Sequence, residues 1–313
     1  MAKVAFHFAP EQRADVAVSE ILMAYLQKME ANEKGATKGM FPECLHDFRV
    51  AIRSSRSILT QTKGVFAERP HARFKSALNR LARTTSVLRD LDVLLLRLDM
   101  LVTELPPGIQ KDLAPFHRYL QKRKRVEQRQ LKETLQSEHI LRFKGDYTRF
   151  LSKTALGQNR PAGGRRPISR VAGKAIRKAY HAVRDHEDTT TANSPIERLH
   201  DLRKLYKKLR YSLEAFQSLY PRDKIRPFIK DLKRLQDTLG ALVDLDVQRQ
   251  LLQQWRQAMQ KEKRASPRTL EAILTLEGML TRHHEQQPTD SLNVCFHQFF
   301  RPSNKKRFQK LFR

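Results

Sequence analysis

Two histidines, His46 and His200, each open a ladder of cationic side chains spaced for one face of a helix. Arg49, Arg53 and Arg56 follow His46 at +3, +7 and +10; Arg203, Lys204, Lys207, Arg210 and Tyr211 follow His200 at +3, +4, +7, +10 and +11. A helix of 3.6 residues per turn comes back to one side at these increments, so each segment presents a stripe of positive charge, with Lys208 at the margin of the second. The chemistry such a stripe offers is anion capture. A guanidinium donates two bonds to one phosphate, an ammonium acts as an adaptable point charge, and an imidazole adds a donor whose pKa rises beside an anion. Like charges three and four residues apart repel by roughly a few tenths of a kcal/mol per pair, so the stripe costs stability until an anion faces it.

The two ladders belong to a duplication. LHDFRVAIRSSRSILTQTKGVF, from Leu45 to Phe66, matches LHDLRKLYKKLRYSLEAFQSLY, from Leu199 to Tyr220, at an offset of 154 residues, 200 minus 46. The same offset carries Phe74 to Val93 onto Phe228 to Val247 without a gap, with ten of twenty positions identical. Average composition gives about one such identity by chance, so the chain is read as two copies of one unit.

The periodicity is helical throughout. A first helix is expected from after Pro10 to about Ala31, ended by a loop from Asn32 to Pro42 containing Gly35 and Gly39. A second spans about Glu43 to Phe66 and a third about His71 to Val102; Pro106 and Pro107 open a polar fourth, whose QKRKRVEQRQ stretch reads as solvated, and a fifth covers about Ser137 to Leu156. The repeat of the first covers Ile168 to about Asp188, with Ser194 as N-cap and Pro195 at the first position of the next helix. Helices from about Pro195 to Leu219 and Arg222 to Gln260 repeat the second and third, and one more follows from Pro267 to about His284. Leu45, Phe48, Ile52, Leu59 and Phe66, with Leu199, Leu202, Tyr206, Leu209, Leu213, Phe216 and Tyr220, make the apolar faces opposite the stripes. The expected fold is all-α: two pseudo-two-fold-related four-helix bundles, whose stripes lie side by side as one basic central groove or channel. The expected units are an N-terminal extension at 1–9, bundles at 10–156 and 168–313, the second with a basic C-terminal segment, and a linker at 157–167.

Composition narrows the partner. Lys and Arg number 61 against 33 Asp and Glu, a formal charge of +28, which calls for a polyanion: nucleic acid, an anionic surface, or an inorganic or sugar polyanion. MAKVAFHFAP lacks a signal-peptide core and no run reaches the length of a membrane span, so a soluble, cytoplasmic chain without a membrane partner is expected. Cys44 and Cys295 form no metal-ligand pattern and are read as incidental.

HDFR and HDLRK followed by Arg and Lys at helical spacing, the downstream DLDV segments and the two-fold repeat together resemble the CHAD domain, the conserved-histidine α-helical domain. The resemblance runs from about Pro10 to the last helices. It implies two four-helix bundles around a basic central channel that binds inorganic polyphosphate, without catalysis; association with polyphosphate granules would follow from such binding. His46, Arg49, Arg53, Arg56, His200, Arg203, Lys204, Lys207, Lys208 and Arg210 then fall on or beside the family's basic motif. Val50 and Ser54 stand where the second copy has Lys204 and Lys208, so the first half is expected to grip less strongly. CHAD domains are often fused to a CYTH triphosphatase domain, whose ExExK signature is not found near this N-terminus; a stand-alone module is expected.

Other residues are assigned from position alone. Arg80 and Arg234, equivalent under the offset and off the apolar stripe, are expected to line the groove, and Lys174, Arg177 and Lys178 could reach it. Asp90, Asp92, Asp244 and Asp246 are expected to pair with arginines between helices rather than to hold a metal ion. Neither a catalytic residue, a cofactor nor a metal ligand is assigned. One alternative is RNA or DNA binding on the same surface, against which stands the lack of aromatics there other than Tyr211. Another is a metal-dependent phosphohydrolase built on His46-Asp47 and His200-Asp201, but adjacent helical residues diverge by about 100°.

Overall fold

The computed structural model describes residues 6–39, 41–156, 161, 163–187, 190–191, 194–285 and 289–312. Among the described residues twelve α-helices follow in order: α1 (Ala14–Lys38), α2 (Pro42–Gln61), α3 (Glu68–Thr84), α4 (Ser86–Val102), α5 (Pro107–Gln136), α6 (Glu138–Ala155), α7 (Ile168–Glu187), α8 (Ile196–Phe216), α9 (Arg222–Lys261), α10 (Pro267–Glu285), α11 (Thr289–Phe300) and α12 (Pro302–Leu311). The fold is all-α. Among the described residues, no helix is long and apolar enough to cross a membrane.

The apolar faces read from the repeat are buried: Phe48, Ile52 and Leu59 on α2, and Leu202, Tyr206 and Leu209 on α8, are each at most 1% exposed. Full burial of such a side chain contributes about 1.5–3 kcal/mol, which fixes the opposite, cationic faces outward. The buried side chains do not divide where the sequence repeats. One large core joins α1, α2, α3 and α6 to α7, α8, α11, α12 and the first half of α9. A second core unites Leu94 and Leu98 of α4 and Phe116 of α5 with Leu252 of α9 and Ile273 of α10, two helices from each half.

The halves also meet in a local two-fold. Arg13 and Pro167, equivalent under the 154-residue offset, form an isolated antiparallel bridge. Ala14 N–H donates to the Arg166 carbonyl at 2.9 Å and Ile168 N–H to that of Gln12 at 2.8 Å, a pair of bonds that the offset exchanges. Gly164 sits so close that a Cβ there would lie 2.7 Å from the Val65 carbonyl oxygen. Residues 157–160 and 162 of the expected linker lie outside the described residues.

Several boundaries differ from the sequence reading. α1 runs through Gly35 and stops at Gly39, which takes the left-handed φ of 64°. Gly35 is instead a packing residue: a Cβ would meet the Cys44 sulfur at 2.4 Å. The third helix breaks at Thr85, because Arg49 Nη1 donates to the Ala82 carbonyl (3.1 Å) and to Thr85 Oγ1 (2.7 Å) and so competes for the helical acceptor. Its repeat, α9, has Leu239 at that position and continues for 40 residues. Ser194 does not cap α8; its Oγ accepts from Thr191 N–H at 2.9 Å, and the cap position falls to Pro195. The QKRKRVEQRQ stretch is partly engaged: Lys124 pairs with Asp92 at 2.7 Å, and Gln128 Nε2 donates to the Thr37 carbonyl at the end of α1 at 2.9 Å. The C-terminal segment is amphipathic rather than simply basic, with Phe308 stacked on Tyr180 at 3.7 Å and Phe312 fully buried.

Candidate anion-binding site

The two motif helices lie against each other. Gln61 Nε2 on α2 donates to the Lys208 carbonyl of α8 at 3.2 Å, and Ser212 Oγ bonds Gln61 Oε1. Beside this contact opens a cavity of about 340 Å³ between α2, α3 and α8, lined by Arg53, Arg56, Lys75, Lys204, Lys207 and Lys208 together with Ser57, Thr60, Asn79 and Tyr211. Six cations and no carboxylate form its wall. Arg53 and Lys207 are equivalents under the offset, so the two stripes meet in the cavity.

The crowding of charge registers in the titration of these groups. The Lys207 ammonium is pulled down from 10.5 to about 8, first by burial and then by Arg203 and Arg53. Lys208 is lowered by burial and by Lys178 and Lys75. Arg49 falls to about 10 through burial and Arg53, and Arg56 is lowered by burial, Arg83 and Arg53. His46 is held below 6.5 by burial, Arg89 and Arg53, so its neutral form is favoured in the free protein. The buried Nε atoms of Arg49, Arg53, Arg203 and Arg210 have no hydrogen-bond partner among the described residues. Buried donors without acceptors cost stability, and anionic oxygen relieves that cost.

The sequence-assigned residues are placed differently, Lys204 in two settings at once, while His46 and Arg49 lie outside the cavity lining. Arg53, Arg56, Lys204, Lys207 and Lys208 line the cavity. Four lean on carboxylates: His200 faces Asp246 at 3.8 Å, Arg203 pairs with Asp244 at 2.9 Å, exposed Lys204 with Asp201 at 2.8 Å, and Arg210 with Glu214 at 3.8 Å. Arg80 and Arg234 turn elsewhere: Arg80 toward Ser76 and His139 of α6, Arg234 toward Gln298 of α11. Neither lines the cavity, because the α6 and α11 helices pack on that flank of α3 and α9. Of the residues on α7, Lys178 contributes its field at Lys208, whereas Arg177 donates to the Phe312 carbonyl.

Lys75, Asn79, Arg83 and Arg89 were not singled out from sequence. Their signal was present, since Lys75, Asn79 and Arg83 step by four along one flank of the α3 apolar stripe. With Lys75, Arg83 and Arg89 present, the first half is not the poorer in charge despite Val50 and Ser54. Of the four aspartates, Asp244 pairs with an arginine of another helix, Arg203; Asp246 pairs with Arg249 of its own helix at 3.0 Å, Asp92 with a lysine, Lys124, and Asp90 has no ion pair among the described residues. Asp47 pairs with Lys28 of α1 at 3.7 Å. Among the described residues no group of three or more His, Cys, Asp or Glu is placed to hold a metal ion.

The arrangement has relatives. The chain covers 95% of its length against the crystal structure of the CHAD domain from the plant Ricinus communis, with a TM-score of 0.77, 22% identity and 96% of that chain covered. It matches PptA from Streptomyces chartreusis with a TM-score of 0.66 and 15% identity, covering 92% of this chain and 99% of that one. At these identities the likeness is one of fold. No curated protein matches. The CHAD domain family model matches residues 20–253, which include both histidine ladders, the cavity between them and both DLDV segments. The chain belongs to the CHAD domain family.

Proposed function

We propose that this chain is a non-catalytic binding module for inorganic polyphosphate, held along the cationic surface where α2 and α8 meet. The observation that carries the reading is the cavity walled by six cations without a carboxylate, among them Lys207, whose pKa burial and neighbouring arginines pull down. A linear, base-free polyanion is complementary to such a wall, because it supplies closely spaced negative oxygens and asks for no recognition beyond charge and donors. Nucleic acid would ask for more. Tyr211, the aromatic residue of the wall, is only 8% exposed and carries Arg210 against its ring, which leaves bases little face to stack on. The mechanism is electrostatic: binding replaces mutual repulsion among the cations with pairing to phosphate. Such a module would bring the chain, in the cytoplasm, to polyphosphate granules.

Reversing one cation from each stripe tests the reading. Arg53→Glu with Lys207→Glu is expected to abolish tight polyphosphate binding while far-ultraviolet circular dichroism stays unchanged; retained affinity in the folded double variant would show that another surface binds.

A further inference from the structure

The repeat leads one to expect a site symmetric about the contact of α2 with α8, and the cavity does take three cations from each half, yet beyond it the charge is one-sided. On the second half, His200, Arg203, Lys204 and Arg210 each face a carboxylate of the protein. On the first half, Arg53, Arg56, Arg83 and Arg89 have no ion pair among the described residues; Asp47 pairs with Lys28 of α1, and Asp90 acts on Arg49 and Arg89 only through its field.

The residues outside the motif reinforce the difference. Under the 154-residue offset Lys75 corresponds to Ile229, Arg83 to Asp237 and Arg89 to Val243. Ile229 packs against the core and Val243 is fully buried, so the second half replaces three cations by two apolar residues and one acid. Lys75 and Asn79 already line the cavity, and Arg83, one turn further along the same face of α3, lies within electrostatic reach of Arg56. Arg89, just past the break at Thr85, lies within reach of His46 and Arg49. The break is what differs from the continuous α9, and Arg49 holds it through the Ala82 carbonyl and Thr85 Oγ1. Arg49 is thereby a positioning residue for the α3–α4 corner.

We infer that the bound polyanion leaves the cavity on one side only, running over the corner of α3 and α4 past Arg56, Arg83 and Arg89 toward His46. This rests on the polyphosphate reading and adds to it a direction and a length preference. An anion short enough to stay in the cavity does not use Arg83 or Arg89, whereas a longer chain does. From Lys75 to Arg83 the α3 face adds about 12 Å of cationic wall.

The test compares tripolyphosphate with long-chain polyphosphate on three full-length proteins at one fixed salt concentration. Arg83→Ala with Arg89→Ala is expected to weaken the long chain about ten-fold and tripolyphosphate less than about two-fold, and Arg83→Lys with Arg89→Lys to restore most of the loss. Lys230→Ala with Lys233→Ala, which removes two exposed cations from α9, serves as the matched loss of net charge and is expected to leave both ligands nearly unchanged. Equal loss in the α9 variant, equal loss for both ligands, or no loss for either would each overturn the one-sided track while leaving polyphosphate binding intact. Failure of the unaltered protein to bind either phosphate would instead overturn the functional reading and the track with it.

Discussion

If this surface binds polyphosphate as proposed, Lys207 should make the affinity depend on pH in a window where few other groups titrate. Burial and the neighbouring Arg203 and Arg53 hold its ammonium at about 8, against 10.5 for an unperturbed lysine. An anion in the cavity supplies the missing counter-charge and returns the bound-state value toward 10.5. At pH 7 the free protein is then roughly nine-tenths protonated at Lys207, and at pH 9 roughly one-tenth, so the affinity should fall about ten-fold between them. Near pH 8 binding should take up about half a proton. The sign for stability follows from the same shift. The folded state holds the pKa below its unfolded value, so the destabilisation is fully present below about pH 8 and fades as pH rises from 8 toward 10.5. Allowing for solvent screening of a partly exposed ammonium, Lys207→Met should gain about 1–2 kcal/mol at pH 7 while losing affinity. Calorimetric titration at constant ionic strength, in buffers of different ionisation enthalpy, reads affinity and proton uptake together. Lys207→Arg, charged throughout the range, should flatten most of the slope, leaving the part due to Lys208. A flat profile in the unaltered protein, or an undiminished slope in Lys207→Arg, would refute the reasoning.

Three further outcomes are expected. Tyr206 is fully buried and its hydroxyl has no hydrogen-bond partner among the described residues, so Tyr206→Phe should leave stability unchanged or raise it by about 1 kcal/mol, readable by thermal unfolding; a loss of that size would mean the hydroxyl is satisfied. His46, held below 6.5 by burial and the adjacent arginines, should titrate at higher pH when long-chain polyphosphate is saturating, as followed by the ring resonances in NMR; an unmoved or lowered value would remove it from the site. Gly164→Ala should cost about 2 kcal/mol or more, since its Cβ would stand 2.6 Å from Asp15 Cβ and 2.7 Å from the Val65 carbonyl oxygen, and both belong to the junction of the two halves; an unchanged denaturant midpoint would show that the junction yields.

Much of this was legible in the chain because two periodicities coincide. The 154-residue repeat and the helical spacing of Leu45, Phe48 and Ile52 settle which face of α2 is buried, and therefore that Arg53 and Arg56 point out of the core. The all-α class follows from the same pattern. The site's outer wall was less legible. The α3 apolar stripe of Phe74, Leu78 and Leu81 has cations on both flanks, Arg80 on one and Lys75 and Arg83 on the other. Periodicity treats the flanks alike; which one faces α2 is decided by α6 packing on the Arg80 side, a tertiary fact. The break at Thr85 was hidden for a similar reason, because the bond that makes it comes from Arg49, 36 residues away. Gly35 reads as a helix terminator until the Cys44 side chain is seen pressed against it. The spread of aromatics through α11 and α12 into the main core was masked by the basic residues between them.

The central claim is that this surface reads a flexible, base-free polyanion rather than negative charge in general. The most direct measurement is a competition titration at physiological salt, with labelled long-chain polyphosphate displaced by unlabelled polyphosphate, pyrophosphate, single-stranded RNA and duplex DNA. Displacement at low concentration by polyphosphate alone is the predicted result. Equal displacement by RNA or DNA would contradict it, and would mean that the formal charge of +28 acts without discrimination.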